Sequence, residues 1–262
     1  MKNEAWKKYT DAGALARVTL RLILPDEKAR WDELICQRHY LKNANLVGRQ
    51  LRYVAELDGE WVALLGWNVP AFHLRPREDW ANWSIEQRLK RRKFWVQNSR
   101  FLLLSELGKF PNLASRVLGL CCQRLSQDWD EAFGHPLLAA ESFVDPQQFT
   151  GSCYRASGWE LLGQTKGCRR HHRDFYQDDG HPKELWVRPL HPKARTWLGA
   201  GEMPERIRPA GGAATRRRKV QRDYGVTAHA GGRAVGKGDR HGRCDARPAG
   251  GGPLPDSGER GG

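Results

Sequence analysis

Apolar and polar residues alternate along RVTLRLIL (residues 17–24), which predicts a half-buried strand, because successive strand side chains point to opposite faces. Pro25 and Asp26 then open a helix, with Asp26 as the expected N-cap. Trp31, Leu34 and Ile35 recur at helical spacing, and the helix should run to about Tyr40. Asn43, Asn45 and Gly48 read as a loop. Two strand-like runs follow, RQLRYVAEL (49–57) and EWVALLGWNV (60–69), separated by Asp58-Gly59. That dipeptide suits a two-residue hairpin turn, in which both residues take positive φ.

Ser84 and Gln87 fit a capping box at the start of a helix. On this helix Ile85, Leu89 and Val96 are expected to form the apolar stripe, while Arg88, Lys90, Arg91, Arg92 and Lys93 crowd the remaining surface. RFLLLS (100–105) reads as a buried strand, and Pro111 and Asn112 start a helix over 113–129. PLLAAESFV (136–144) is a further strand, followed by a short helix carrying Cys153, Tyr154 and Arg155. Strands over 159–164 and 183–189 close the series. This order predicts an α/β (α+β) fold whose mixed, mainly antiparallel central sheet is flanked by helices.

Composition divides the chain. Of its Phe, Tyr and Trp residues only Tyr224 lies beyond Leu198, and 16 of the 28 glycines fall in residues 199–262. A segment without core-forming side chains cannot offset the entropy of ordering its backbone. The expected organisation is an N-terminal extension (1–16), a folded domain (17–198) and a disordered Gly/Arg-rich tail (199–262). The tail has no internal pattern and resembles a coding frame read out of register, as a frameshifted fusion would leave. Residues 1–198 hold 31 Lys/Arg against 23 Asp/Glu, a net +8 within the +14 of the whole chain. A body this basic attracts polyanions, nucleic acid foremost.

The six cysteines lack zinc-type CxxC spacing. Cys168, His171, His172 and His181 sit among Arg169, Arg170 and Arg173, whose charge opposes a dication, so no metal is expected. The polar N-terminus and the lack of a long apolar run point to a cytoplasmic protein with reduced thiols and no membrane contact.

Tyr154-Arg155-Ala156-Ser157-Gly158-Trp159 resembles the Y-x-x-x-G-F pattern that follows the fifth strand in GNAT acyltransferases. Longer blocks, HYLKNANLVGRQLRYVAELDGEWVALLGW, NSRFLLL, PNLASRVLG, ESFVDPQQFTGSCYRASGWELLGQTKG and KELWVRPL, are similar to the DruA-like domain over about residues 17–198. That family is named for the Druantia anti-phage systems and is also found attached to transposases. The resemblance implies a GNAT-like body in a mobile-element or phage-defence setting, with transposase or defence proteins as partners.

It also exposes a departure. GNAT enzymes cradle the coenzyme A diphosphate on a glycine-rich loop before a helix. The corresponding residues here, 106–114, keep one glycine, and Pro111 has no amide to donate while Phe110 would crowd a diphosphate. No cofactor is therefore the favoured expectation, with acetyl-CoA as the alternative. Lys109, Asn112 and the amides of Leu113, Ala114 and Ser115 could instead hold one phosphate, including one of a nucleic-acid backbone.

Three side chains are candidates for chemistry. By the resemblance Tyr154 would be a general acid, although a ring that fills the core with its hydroxyl on a backbone partner is the favoured reading. Glu141 is a candidate base, or else turns to solvent or pairs with Arg100. His39 is a candidate base, or else serves the C-terminus of its helix. Two basic tracts, Arg88 to Lys93 and Lys166, Arg169, Arg170 and Arg173, are the expected phosphate contacts, with Trp80, Trp83, Trp95 and Tyr176 available to stack bases if exposed. Two functions remain open: a nucleic-acid-associated accessory module, not catalytic alone, and an acyltransferase with a diverged coenzyme A loop.

Overall fold

A computed structural model describes residues 13–104, 110–172, 175–178 and 181–207, with side chains described outside 168–178 and 206. Helix α1 (Ala14–Arg17) leads into β1 (Thr19–Leu22), a 3-10 turn (Pro25–Glu27) and α2 (Lys28–Arg38). The hairpin strands are β2 (Gln50–Leu57) and β3 (Glu60–Asn68), joined by Asp58 (φ 51°) and Gly59 (φ 85°). Next come α3 (Arg75–Ala81), α4 (Ile85–Arg91), β4 (Trp95–Leu103), α5 (Leu113–Phe133) and β5 (Ala139–Val144). Helix α6 (Ser152–Ala156), β6 (Glu160–Gln164), β7 (Cys168–His172), β8 (Phe175–Asp178), β9 (Glu184–Pro189), α7 (Ala194–Gly199) and a final 3-10 turn (Glu205–Ile207) complete the described chain.

Seven strands form one sheet in the order β1-β2-β3-β4-β5-β9-β6, with β7 and β8 as a separate pair. Every neighbouring pair of the large sheet is antiparallel except β4 and β5, so the expected mixed, mainly antiparallel α/β sheet is present. One face packs on α5 and α6 through Tyr53, Trp67, Leu125, Trp129 and Trp159. On the other face Trp31 and Ile35 of α2 cover Val54, Leu64 and Leu102, while α3 and α7, with Trp83 and Phe94, cover Trp95, Ala139, Leu185 and Val187. A bulge pairs Trp67 with Asn98 and Gly66 with Arg100, leaving Ser99 extra. Without that residue Phe101 and Leu102 would exchange faces, because strand side chains alternate.

Several local expectations change. Asp26 does not cap a helix. The Glu27 carboxylate instead accepts the Leu24 N–H at 2.7 Å, closing the 3-10 turn that precedes α2. Helix α4 ends at Arg91 and Val96 belongs to β4, where aromatic and β-branched Trp95 and Val96 are fully buried. Ile85 and Leu89, expected to face inward, are 71% and 58% exposed. Helix α4 is instead anchored by Arg91, whose guanidinium donates to the carbonyls of Trp197, Leu198, Ala200 and Gly201. The folded body also extends beyond 17–198 at both ends: Ala14 is buried and Ile207 packs among the tryptophans. The rest of the expected tail, 208–262, lies outside the described residues, as do residues 1–12. Cys121, Cys122 and Cys153 carry free thiols, whereas Cys36 is disulfide-bonded, against the expectation that all thiols are reduced.

Candidate functional site

Strands β4 and β5 pair in parallel from Trp95/Ala139 to Asn98/Ser142, and their ladder ends there. Both strands run on, to Leu103 and Val144, so the sheet opens into a fork. Asn98 is fixed at the fork by its side-chain amide, which donates to the carbonyls of Gly66 (3.3 Å) and Arg100 (3.1 Å). Tyr154 of α6 fills the opening. Its phenol donates to Asn98 Oδ1 (3.3 Å) and accepts from Ser142 Oγ (2.9 Å). The partners are thus side chains rather than the backbone group expected. The ring stands edge-on to Trp159 (5.2 Å) and Phe101 (6.5 Å) and stacks beside Trp186 (6.1 Å). Burial pushes its ionisation well above the ordinary phenol range.

Gly151 makes this placement possible. It precedes α6 at φ 67°, and a Cβ there would lie 2.6 Å from Cζ2 of the buried Trp186. Gly151→Ala is therefore expected to cost about 2–5 kcal/mol, the sum of a left-handed backbone penalty and overpacking. Gly59→Ala, at φ 85° with nothing near its Cβ, should cost about 1–2 kcal/mol from the backbone alone. Urea unfolding of the two variants checks the difference.

Glu141 neighbours Ser142 and therefore points to the other face of the sheet. Its carboxylate accepts from Arg77 Nη1 at 3.1 and 2.9 Å, and both side chains are 0% exposed. Arg77 also donates to the Ala71 carbonyl (2.8 Å) and lies 5.7 Å from the Trp95 ring. Burial raises the Glu141 carboxyl above its ordinary range, and Arg77 opposes the rise. Neither of the expected alternatives holds: Glu141 is not turned to solvent, and Arg100 is engaged with the carbonyls of Asn43, Asn45 and Ser99. His39 is buried, its Nδ1 accepting the Leu41 N–H, and burial with nearby Arg100 pushes its imidazole down to about 4. No hydrogen bond among the described residues joins Tyr154, Glu141 and His39.

At the start of α5, Lys109 lies outside the described residues. Asn112 is left-handed (φ 63°), the Leu113 amide donates to the Phe110 carbonyl (3.3 Å), and the Ser115 hydroxyl donates to the Asn112 carbonyl (3.0 Å). Ala114 is half-buried on the first turn. The Phe110 ring is turned into the core rather than towards the loop. Pro111 has no amide to donate and the Leu113 amide is already bonded, so neither is open to an anion at this turn.

The basic tract is divided between the fold and the surface, with Lys90 and Lys93 exposed. Arg88 pairs with Glu78 (3.0 Å), Lys90 with Glu86 (2.5 Å), and Arg92 donates to the Pro70 carbonyl (2.9 Å). Arg91 is buried on its carbonyls and is corrected as a phosphate contact, for want of exposure. Lys93 and Lys166 are exposed. Arg169 and Arg170 lie on β7 with side chains outside the described set, and Arg173 lies outside it altogether. Trp80, Trp83 and Trp95 are buried, so they cannot stack bases, and the Tyr176 side chain is not among those described. Arg49 and His135, which meet at 2.8 Å across 86 residues, had no local sequence signal. Among the described residues there is no His/Cys/Asp/Glu group able to hold a metal ion, and no helix is long and apolar enough to cross a membrane.

No curated protein matches the chain. Among solved structures it is similar to aminoglycoside acetyltransferase AAC(6')-Ib in complex with coenzyme A, at 18% identity and TM-score 0.43, covering 68% of this chain and 96% of that one. It is also similar to RimL, the ribosomal L7/L12 alpha-N-protein acetyltransferase, at 12% identity and TM-score 0.39, covering 66% and 94%. A third is spermidine/spermine N-acetyltransferase SpeG from Vibrio cholerae, at 9% identity and TM-score 0.42, covering 68% and 95%. The profile of one family matches residues 7–196, and by that match the chain belongs to the family of the Druantia protein DruA.

Proposed function

We propose that this chain is a nucleic-acid-associated accessory module of a Druantia-type anti-phage system or a transposase-linked mobile element. It holds backbone phosphates on its basic exterior and leaves the chemistry to a partner. The observation that carries this reading is the state of the groups that acyl transfer would need. The phenol of Tyr154 closes the strand fork, Glu141 is locked on Arg77, and His39 is buried with a weakened imidazole. The net +8 of residues 1–198 supports the phosphate contact. Such contacts position a protein on nucleic acid without reading its sequence.

Fluorescence anisotropy of the full chain with short labelled single-stranded and duplex DNA tests the reading. The logarithm of the binding constant is expected to fall linearly with the logarithm of salt concentration, by about 0.9 per phosphate contacted on duplex. Binding that ignores salt, or none at low salt, overturns it. The alternative, an acyltransferase with a diverged coenzyme A loop, is supported by the phenol standing at the strand fork, but requires that phenol to leave two hydrogen bonds.

A further inference from the structure

The loop between β3 and α3 is tied down along its length. The Pro70 carbonyl accepts from Arg92 Nη1 (2.9 Å), and the carbonyls of Ala71 and Phe72 accept from Nη2 of the buried Arg77 (2.8 and 3.4 Å). The Leu74 N–H donates to the Glu78 carboxylate (3.3 Å). This fixed backbone nevertheless holds the Phe72 ring out in solvent, 56% exposed. Among the described Phe, Tyr and Trp side chains no other is exposed to that extent. The guanidinium carbons of Arg88 and Arg92 lie 5.4 and 5.1 Å from the ring centroid, so the ring as well as its backbone is set before any ligand arrives.

Phe72 borders an open groove of about 580 Å³ where its loop meets α3 and α4, lined also by Trp83, Arg88 and the exposed Ile85. The charges of the groove are paired within it. Glu78 faces Arg88 (3.0 Å) and His73 (2.7 Å), and Asp79 faces Arg75 (3.6 Å). Two guanidiniums against two carboxylates leave no excess charge, so the groove suits an uncharged ligand with an apolar face. It also holds donors in want of acceptors: Trp83 Nε1 and Arg88 Nε are buried without a hydrogen-bond partner. An aliphatic side chain would leave such donors unmet. A nucleobase has flat faces for the ring and acceptors on its rim. Aromatic rings and guanidinium planes are the platforms on which unpaired bases stack. The buried tryptophans cannot serve in this way, and Phe72 can.

We infer that the Phe72 groove is a site for one unpaired base of a single-stranded nucleic acid, stacked on the Phe72 ring. The inference rests on the nucleic-acid reading above and deepens it, by naming a single strand as the ligand and a base rather than a phosphate as the group held.

The test is an anisotropy titration of the full chain with labelled oligothymidine and with the same strand made abasic, which keeps every phosphate. F72A is expected to weaken oligothymidine binding about tenfold, the loss of one stacked base, and to leave the salt slope unchanged. F72L keeps apolar bulk without a π-face and should weaken it as F72A does, whereas F72W should retain the parent affinity. On the abasic strand F72A should bind as the parent does, because the ring has no base to lose. Unfolding midpoints near that of the parent are expected for all three variants, the ring being exposed. If F72A binds oligothymidine as tightly as the parent, or loses equally on both strands, the site is refuted and the nucleic-acid reading stands. F72L with the parent's affinity would refute stacking in the same way. If the parent binds neither strand nor duplex DNA at low salt, both fall. Self-association of the chain that F72A abolishes, with DNA binding unchanged, would assign the groove to a second copy and also refute the site.

Discussion

Arg77→Leu is expected to destabilise the protein by about 3–5 kcal/mol at neutral pH, because it strands a buried carboxylate without its cation. Arg77 and Glu141 are both 0% exposed, two hydrogen bonds join them, and Arg77 further ties the 71–72 loop to α3. The loss depends on pH in a direction that follows from the carboxyl. Burial already holds Glu141 above the ordinary carboxylate range, and Arg77 restrains that rise. Removing Arg77 lets the folded-state value climb further. A group raised on folding contributes stability that is fully present below its unfolded value, about 4.3, and is lost as pH rises through the folded value. The deficit of Arg77→Leu should thus narrow as pH falls from neutrality towards about 4.5, read by urea unfolding across pH. Replacing both partners by leucine should recover much of the stability, since neither charge is then buried. A pH-independent deficit would mean that Glu141 is not the charge left behind.

Tyr154→Ala should cost a similar amount, about 3–5 kcal/mol, by opening a cavity among Phe101, Trp159 and Trp186. Tyr154→Phe is the sharper variant. It keeps the ring and removes one hydroxyl, leaving Asn98 Oδ1 without its donor and Ser142 with only the longer bond to the Asn98 carbonyl (3.3 Å). The expected loss is about 1–2 kcal/mol, the cost of unsatisfied buried polar groups. A phenol kept for proton transfer would show the reverse, unchanged stability in Tyr154→Phe. Thermal unfolding of the two variants beside the parent decides between these outcomes.

The hairpin was fully legible because its information is local: Asp58 and Gly59 both tolerate the left-handed backbone that the turn imposes. The seven strands of the large sheet were legible for the same reason, each run being bounded by its own turn residues, whereas β7 and β8 fall where a basic loop was expected. The region 84–96 was misread because Ile85, Leu89 and Val96 satisfy a helical period that the chain does not follow. Burial of Trp95 against Trp80 and Trp83 outweighs it. Alternation correctly separates Glu141 from Ser142 by face, but it cannot choose a partner. Arg77 is 64 residues away on a helix that the sequence did not announce. The run from Arg88 to Lys93 looked uniformly solvated, yet Arg91 is bound to carbonyls more than 100 residues distant. The tryptophans proposed to stack bases were needed by the core. Tertiary pairing, not propensity, decided each of these.

The central claim is that the strand fork is packed core and that the start of α5 cannot cradle a diphosphate. Calorimetric titration of the full chain with acetyl-coenzyme A tests it most directly. The account predicts no saturable heat at any ligand concentration tested. Stoichiometric binding that weakens in Tyr154→Phe would contradict it and return the phenol to catalysis.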